Sequence, residues 1–243
     1  MPYLPHYSKS IAMNFSATWF APIWQHFAHL VLLILLCCTA RPALARIRQQ
    51  AQVAGVVLCL LAVLWSLQAS LGSGQLAGMN YHLLGVALGS LMLGTSAMLW
   101  LGVGFMWVYA WVWQGGNDWT VLSLNALCLL LPTLAISQLG QMLCRRYLPA
   151  NLFIYIFLNG FLTAALGMLA TGLFIISLLH FSNAFADAPL WSGAFPVFFL
   201  MSWGEAFLTG LFTAIFVALQ PTLLSTFDDQ RYLQRKNQIW QND

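Results

Sequence analysis

The stretch Gly78-Met79-Asn80-Tyr81-His82-Leu83-Leu84-Gly85 opens an uncharged run that continues to Gln114. One helical crossing of a bilayer takes about 20 apolar residues. The run from Tyr81 onward is therefore too long for one span and long enough for two. A small polar break, Gly94-Thr95-Ser96, marks where it divides. This division decides whether the chain crosses a membrane six times or seven, and on which side His82 lies.

Composition sets the frame around this stretch. Apolar residues make up 60% of the 243 positions and charged residues 6%, against about 25% charge in a soluble domain. Too little charge is present to cover a water-facing surface, so the chain reads as a polytopic membrane protein. Its apolar runs are continuous rather than alternating, which favours helices over a barrel. The expected class is all-α, with seven transmembrane helices and the lipid bilayer as surroundings.

Upstream of the opening stretch, Ser16 reads as an N-cap before the aromatic pair Trp19-Phe20. The first span runs from about Pro22 to Ala40, where Arg41-Pro42 stops it. The second covers about Gln52 to Leu71, and a loop of Gly, Ser and Gln from Gly72 to Gly78 leads to His82. Downstream, Gly115-Gly116-Asn117-Asp118 is a turn. A fifth span follows from about Thr120 to Leu143, with Pro132 as a kink. A sixth runs from Leu152 to Leu179, a polar loop from His180 to Ser192, and a seventh span from Phe195 to Leu219. Met1 to Ser10 reads as an extended or disordered tail, with no pattern of a cleavable signal peptide.

Charge placement selects seven spans. Arg41, Arg46 and Arg48 fall between spans one and two, Arg145 and Arg146 between five and six, and Arg231, Arg235 and Lys236 after seven. Seven spans with the N-terminus outside put all of these on the cytoplasmic side, as the positive-inside bias expects; six would strand an arginine cluster outside. The organisation expected is an extracytoplasmic tail over 1–21, a membrane domain over 22–225 and a cytoplasmic polar tail over 226–243. The location expected is the inner (plasma) membrane, and His82 then lies near the outer face.

Few residues can carry chemistry. Neutral imidazole binds borderline transition metals well, so His82 is either a metal ligand or a cap on the third span. Met79, Asn80 and Tyr81 stand beside it as further ligands or hydrogen-bond partners. Gly85-x-x-x-Gly89 is a close-packing signal. Asn125 and Glu205 lie inside apolar runs, where a polar group lines a cavity or pairs with another helix; for Glu205 a structural partner would be Asn159 or a histidine. His26 and His29 are one helical turn apart. Cys37, Cys38, Cys59, Cys128 and Cys144 read as buried small hydrophobes or reduced thiols.

Several functions are set aside. The chain has no GxxxxGK[ST], HExxH or GxSxG pattern, no lysine in a span and no basic surface for nucleic acid. No nucleophile-plus-base set is visible, so the chain reads as something other than an enzyme.

The order His82-Leu83-Leu84-Gly85, then Gly115-Gly116 with Thr120 and Leu122, then Asn125-Ala126, resembles the CbiM-type membrane subunit of cobalt and nickel energy-coupling-factor transporters. Gly204-Glu205-Ala206-Phe207-Leu208-Thr209-Gly210 is similar to that family's last span. The resemblance covers roughly Met13 to Leu224. It implies a seven-helix substrate-capture component, with a transition-metal ion as substrate and no tightly bound cofactor. Its implied partners are a coupling transmembrane subunit and two ATPase subunits.

In that family a Met-His start folds into the bundle and binds the metal together with the histidine matched by His82. Here the chain begins Met1-Pro2, and the counterpart of that start is Met13-Asn14-Phe15-Ser16. Asn14 then stands in place of the metal-binding histidine, with His6 as a substitute of different geometry. Cys128 occupies the place of the family's second asparagine and offers a softer ligand. The metal set expected is thus His82 with Met13, Asn14 or His6, and the cavity set Asn80, Asn125, Cys128 and Glu205. Copper stands beside cobalt and nickel as a substrate. The competing class is a membrane assembly or accessory protein for a metalloenzyme or another complex, which transports nothing.

Overall fold

Long apolar runs in a medium without water must satisfy their backbone groups internally, and winding into helices does this locally. The computed structural model describes residues 15–70, 79–114, 119–228 and 232. After a single 3₁₀ turn at Ala17–Trp19, helix α1 spans Pro22–Gln49 and α2 spans Ala51–Ser66. Strands β1 (Gln68–Ser70) and β2 (Asn80–His82) follow, then α3 (Val86–Leu93), α4 (Thr95–Gln114) and α5 (Leu122–Tyr147). The last long helices are α6 (Leu152–Ser182) and α7 (Asp187–Leu219), each with a π-helical stretch near its start, at Tyr155–Leu162 and Leu190–Ala194.

Helices α1, α4, α5, α6 and α7 are long and apolar enough to cross a membrane. Large apolar side chains point outward along them, among them Ile23, Phe27, Leu200, Phe207 and Leu219. A water-soluble protein does not expose so wide an apolar belt, and lipid is the solvent that suits it. Polar groups turn inward and bond between helices, Thr133 to Thr171 at 3.1 Å and His29 to Ser123 at 2.6 Å, while Thr95 bonds to the exposed Gln138 at 2.8 Å. Helix α5 forms the spine of the interior, packing on α1, α3, α4 and α6, while α6 lies between α5 and α7.

The structure changes several boundaries. Helix α1 does not stop at Arg41-Pro42 but runs on to Gln49. Proline in a helix interior costs about 3 kcal/mol, yet Ala40, Ala43 and Ala45 favour helix around it. Ala43 is also fully buried. Helix α2 ends at Ser66 rather than Leu71, because the next residues pair with Asn80–His82. The antiparallel register is Gln68↔His82, Ala69↔Tyr81 and Ser70↔Asn80, so the chain is helical with one small ribbon rather than purely α. The loop expected from His180 to Ser192 shrinks to a turn around Asn183, whose φ is +54°. Helix α7 already begins at Asp187, where His180 Nδ1 meets Asp187 Oδ1 at 2.5 Å. Cys37, Cys38 and Cys59 face outward instead of being buried; Cys128 and Cys144 are buried. Residues 1–14 of the expected N-terminal tail, the Gly72–Gly78 loop and the Gly115–Asp118 turn lie outside the described residues, while residues 15–20 of that tail pack on the bundle.

The division at Gly94 is borne out, in an altered form. Gly94 closes α3 with φ +86°, a conformation a side chain resists. The segment before it, however, is not a helix from Tyr81. It is a strand over Asn80–His82, irregular from Leu83 to Gly85, and helical only over the eight residues of α3, all of them buried. Eight helical residues rise about 12 Å. The residues from Asn80 to Leu84 add at most roughly 16 Å at about 3.3 Å each. Non-helical backbone at this depth is stable only where protein covers it and satisfies it, and this requirement shapes the region around His82.

Candidate functional site

His82 ends β2, and its side chain is 2% exposed. Its Nδ1 lies 3.0 Å from the carbonyl oxygen of Leu83. A carbonyl only accepts, so Nδ1 carries the proton and Nε2 keeps its lone pair. Nε2 is buried and has no hydrogen-bond partner among the described residues. The ring packs on the Trp65 indole, with centroids 4.9 Å apart. An imidazole with one nitrogen tied to a carbonyl and the other left as a buried lone pair is in the state that binds a transition metal. A cleft of about 690 Å³ adjoins it, lined by Gln68, Tyr81, His82 and Leu83 on one side and by Val197 and Met201 of α7 on the other.

The neighbours of His82 are also buried. Asn80 is 3% exposed. Tyr81 packs edge-on against Phe198 of α7 and directs its hydroxyl toward the Met79 sulfur at 3.8 Å.

Asn125 sits in the first turn of α5, where its Oδ1 accepts the backbone N–H of Phe15 at 2.9 Å. Phe15 itself is buried against Phe20, and Trp19 packs on Phe185 in the turn before α7. The chain thus enters the bundle interior at Phe15. Cys128, three residues after Asn125, is fully buried. Met13, Asn14 and His6 lie outside the described residues. In sequence, Asn14 directly precedes the buried, anchored Phe15.

Glu205 is 2% exposed on α7. Its Oε1 accepts the backbone N–H groups of Leu84 and of Gly85, the latter at 2.8 Å. The partner is therefore the backbone just after His82, and not Asn159 or a histidine. His29 is held by Ser123, with the exposed His26 ring 6.5 Å away. Among the described residues no three His, Cys, Asp or Glu side chains come together as a metal cluster. Sequence reasoning missed Trp65, whose indole N–H donates to the Leu84 carbonyl at 3.0 Å. Nothing in the sequence separates it from the ten other tryptophans of the chain.

The fold and this site define a multi-pass helical membrane protein built around a buried histidine at the end of a short ribbon. The chain matches the CbiM family, the cobalt uptake substrate-specific transmembrane region, over residues 14–223 and belongs to that family. It is a component of metal transport rather than an enzyme, and its family works together with other subunits.

Two solved structures share the fold. One, a transition metal transporter, is 13% identical with a TM-score of 0.66, covering 85% of this chain and 93% of the other. The second, a truncated transition metal transporter, is 12% identical with a TM-score of 0.62, covering 85% and 98%. At such identities the likeness concerns the fold alone. No curated relative matches the chain.

Proposed function

We propose that this chain is the substrate-capture component of an energy-coupling-factor-type transporter and takes a transition-metal cation at Nε2 of His82. The observation that carries this is the buried lone pair of Nε2, held by a bond from Nδ1–H to the Leu83 carbonyl. A buried polar atom without a partner costs free energy, and a cation is a partner that suits a neutral imidazole. The cation is cobalt- or nickel-like; Cys128 and the nearby methionines extend the range to copper.

One imidazole does not make a site, and the other ligands come from the segment that leads into Phe15, with Met13 and Asn14 nearest and His6 further off. Asn80, Asn125, Cys128 and Glu205, all buried, shape the cavity. A coupling transmembrane subunit and two ATPase subunits drive release to the cytoplasm.

The chain crosses the inner membrane seven times, with its N-terminus outside and its C-terminal tail in the cytoplasm. α2 and the segment from Asn80 to Leu93 supply the two short crossings. Two groups of contacts support this arrangement. Phe15–Asn125, His29–Ser123, Trp65–His82 and Tyr81–Phe198 gather one set of helix ends. Thr39–Trp100, Thr95–Gln138 and Ser225–Met92 gather the opposite set, near the arginine clusters.

Purified protein loaded with cobalt(II), nickel(II) or copper and then desalted is expected to retain stoichiometric metal by elemental analysis. His82→Ala is expected to lose it while eluting as the same monodisperse species. No retention by the unaltered chain under any loading condition refutes metal capture.

A further inference from the structure

Two consecutive peptide groups follow His82, and both are pinned. The first joins the Leu83 carbonyl to the Leu84 N–H; its oxygen receives the His82 Nδ1–H and its N–H is held by Glu205. The second joins the Leu84 carbonyl to the Gly85 N–H; its oxygen receives the Trp65 indole N–H and its N–H is again held by Glu205. A peptide group is planar, and the described chain has no cis bond, so its N–H and C=O point in opposite directions. Fixing the N–H on one side therefore fixes where the carbonyl aims on the other.

We propose that Glu205 is a positioning residue for His82, acting through these peptide planes without touching the cation. By holding the Leu84 N–H it aims the Leu83 carbonyl at Nδ1, and that carbonyl selects the tautomer and ring angle that leave Nε2 as the ligand atom. The Gly85 N–H is one of the donors that the start of α3 cannot satisfy within the helix, so a carboxylate oxygen suits the position electrostatically as well. Trp65 completes the arrangement by holding the second carbonyl and packing its ring against the imidazole at a tilt of 46°. The carboxylate oxygen reaches across 120 positions of sequence to Gly85, so α7 sets the geometry of a ligand that β2 carries. This rests on His82 being the metal ligand, as proposed above.

The role requires an oxygen acceptor at the position of Oε1, and it does not require a charge. Glu205→Gln keeps such an oxygen and Glu205→Ala removes it. Cobalt(II) is the probe, with affinity measured by titration and ligand geometry read from its visible d–d absorption. Glu205→Ala is expected to bind about 10- to 100-fold more weakly, as outer-shell losses do, with an altered spectrum. Glu205→Gln is expected to recover affinity and the unaltered spectrum.

Equal loss in both variants overturns the proposal, since the carboxylate would then act as ligand or charge. Unaltered affinity and spectrum in Glu205→Ala overturn it as well. Should Glu205→Ala fail to fold, Glu205→Gln decides alone: a recovered spectrum supports positioning and a lost one refutes it. His82→Ala runs in parallel. If neither the unaltered chain nor His82→Ala binds cobalt(II), positioning fails together with its premise. If the unaltered chain binds cobalt(II) and His82→Ala binds it equally, His82 is not the ligand and positioning is refuted on that ground.

Discussion

The bond from the Phe15 N–H to Asn125 is the test of how the N-terminal segment is held. Asn125→Leu is close in volume and removes the acceptor, while the backbone donor stays in place. Phe15 is 6% exposed and Asn125 1% exposed, so water does not replace the lost oxygen unless the segment moves. Leaving a buried donor unsatisfied costs about 1–3 kcal/mol, which lowers the equilibrium for docking the segment roughly 5- to 150-fold. The Phe15 and Phe20 rings still favour the interior, since burying such a side chain contributes about 1.5–3 kcal/mol. The outcome expected is a segment that undocks more often, with the helical bundle intact.

Amide hydrogen exchange followed by mass spectrometry reads this directly. Peptides covering residues 15–20 are expected to exchange faster in Asn125→Leu by a factor within that range, while peptides of α5 and α6 keep their protection. Metal retention should fall in step, because Met13 and Asn14 are tethered to Phe15. Unchanged exchange over residues 15–20 refutes the idea that Asn125 anchors the segment. Uniform acceleration across the whole chain points to general destabilisation and refutes the local account.

Two further outcomes follow from the same geometry. Gly85 has φ +65° with Leu64 pressed against the place a Cβ would occupy. Gly85→Ala is expected to cost about 1–2 kcal/mol in backbone strain alone, and to lower both the melting temperature and cobalt(II) retention; a variant as stable as the unaltered chain would count against the left-handed turn. In a chain whose native cysteines are replaced, single cysteines at Gln49 and Asn117 are expected to react with a membrane-impermeant thiol reagent from opposite sides, Asn117 from outside. Labelling of Gln49 from outside overturns the seven-crossing topology.

Much of the fold is legible in the sequence because a membrane span is a compositional object. The runs that form α1, α4, α5, α6 and α7 can be recognised from length and apolarity alone, and Gly94 can be recognised as a break. The boundaries that fail do so for identifiable reasons. Local propensity makes Pro42 a stop, but its alanine neighbours and the buried Ala43 favour a helix that continues. The segment from Tyr81 to Leu93 reads as helix because apolar residues suit either state when buried. Pairing with Gln68–Ser70 and capture by Glu205 draw its first half into an extended form.

The same division runs through the site. His82 stands out in sequence because a titratable ring at the head of an uncharged run is costly to bury without a partner, and the family motifs point to the same residue. Asn125 and Glu205 stand out because polar groups at membrane depth need partners, yet sequence cannot say which partners. Asn125 takes the Phe15 N–H across 110 positions, and Glu205 takes the Gly85 N–H across 120. Trp65 gives no signal, since indole rings are common in this chain and only the fold brings one onto His82. Sequence alone determines that the chain is a helical membrane protein and singles out His82 as a ligand candidate, because burial in lipid constrains composition residue by residue. Only the tertiary structure decides that Nε2 is the nitrogen left open, because that depends on the backbone conformation that brings the Leu83 carbonyl to Nδ1 and on the packing that buries Nε2 away from any partner.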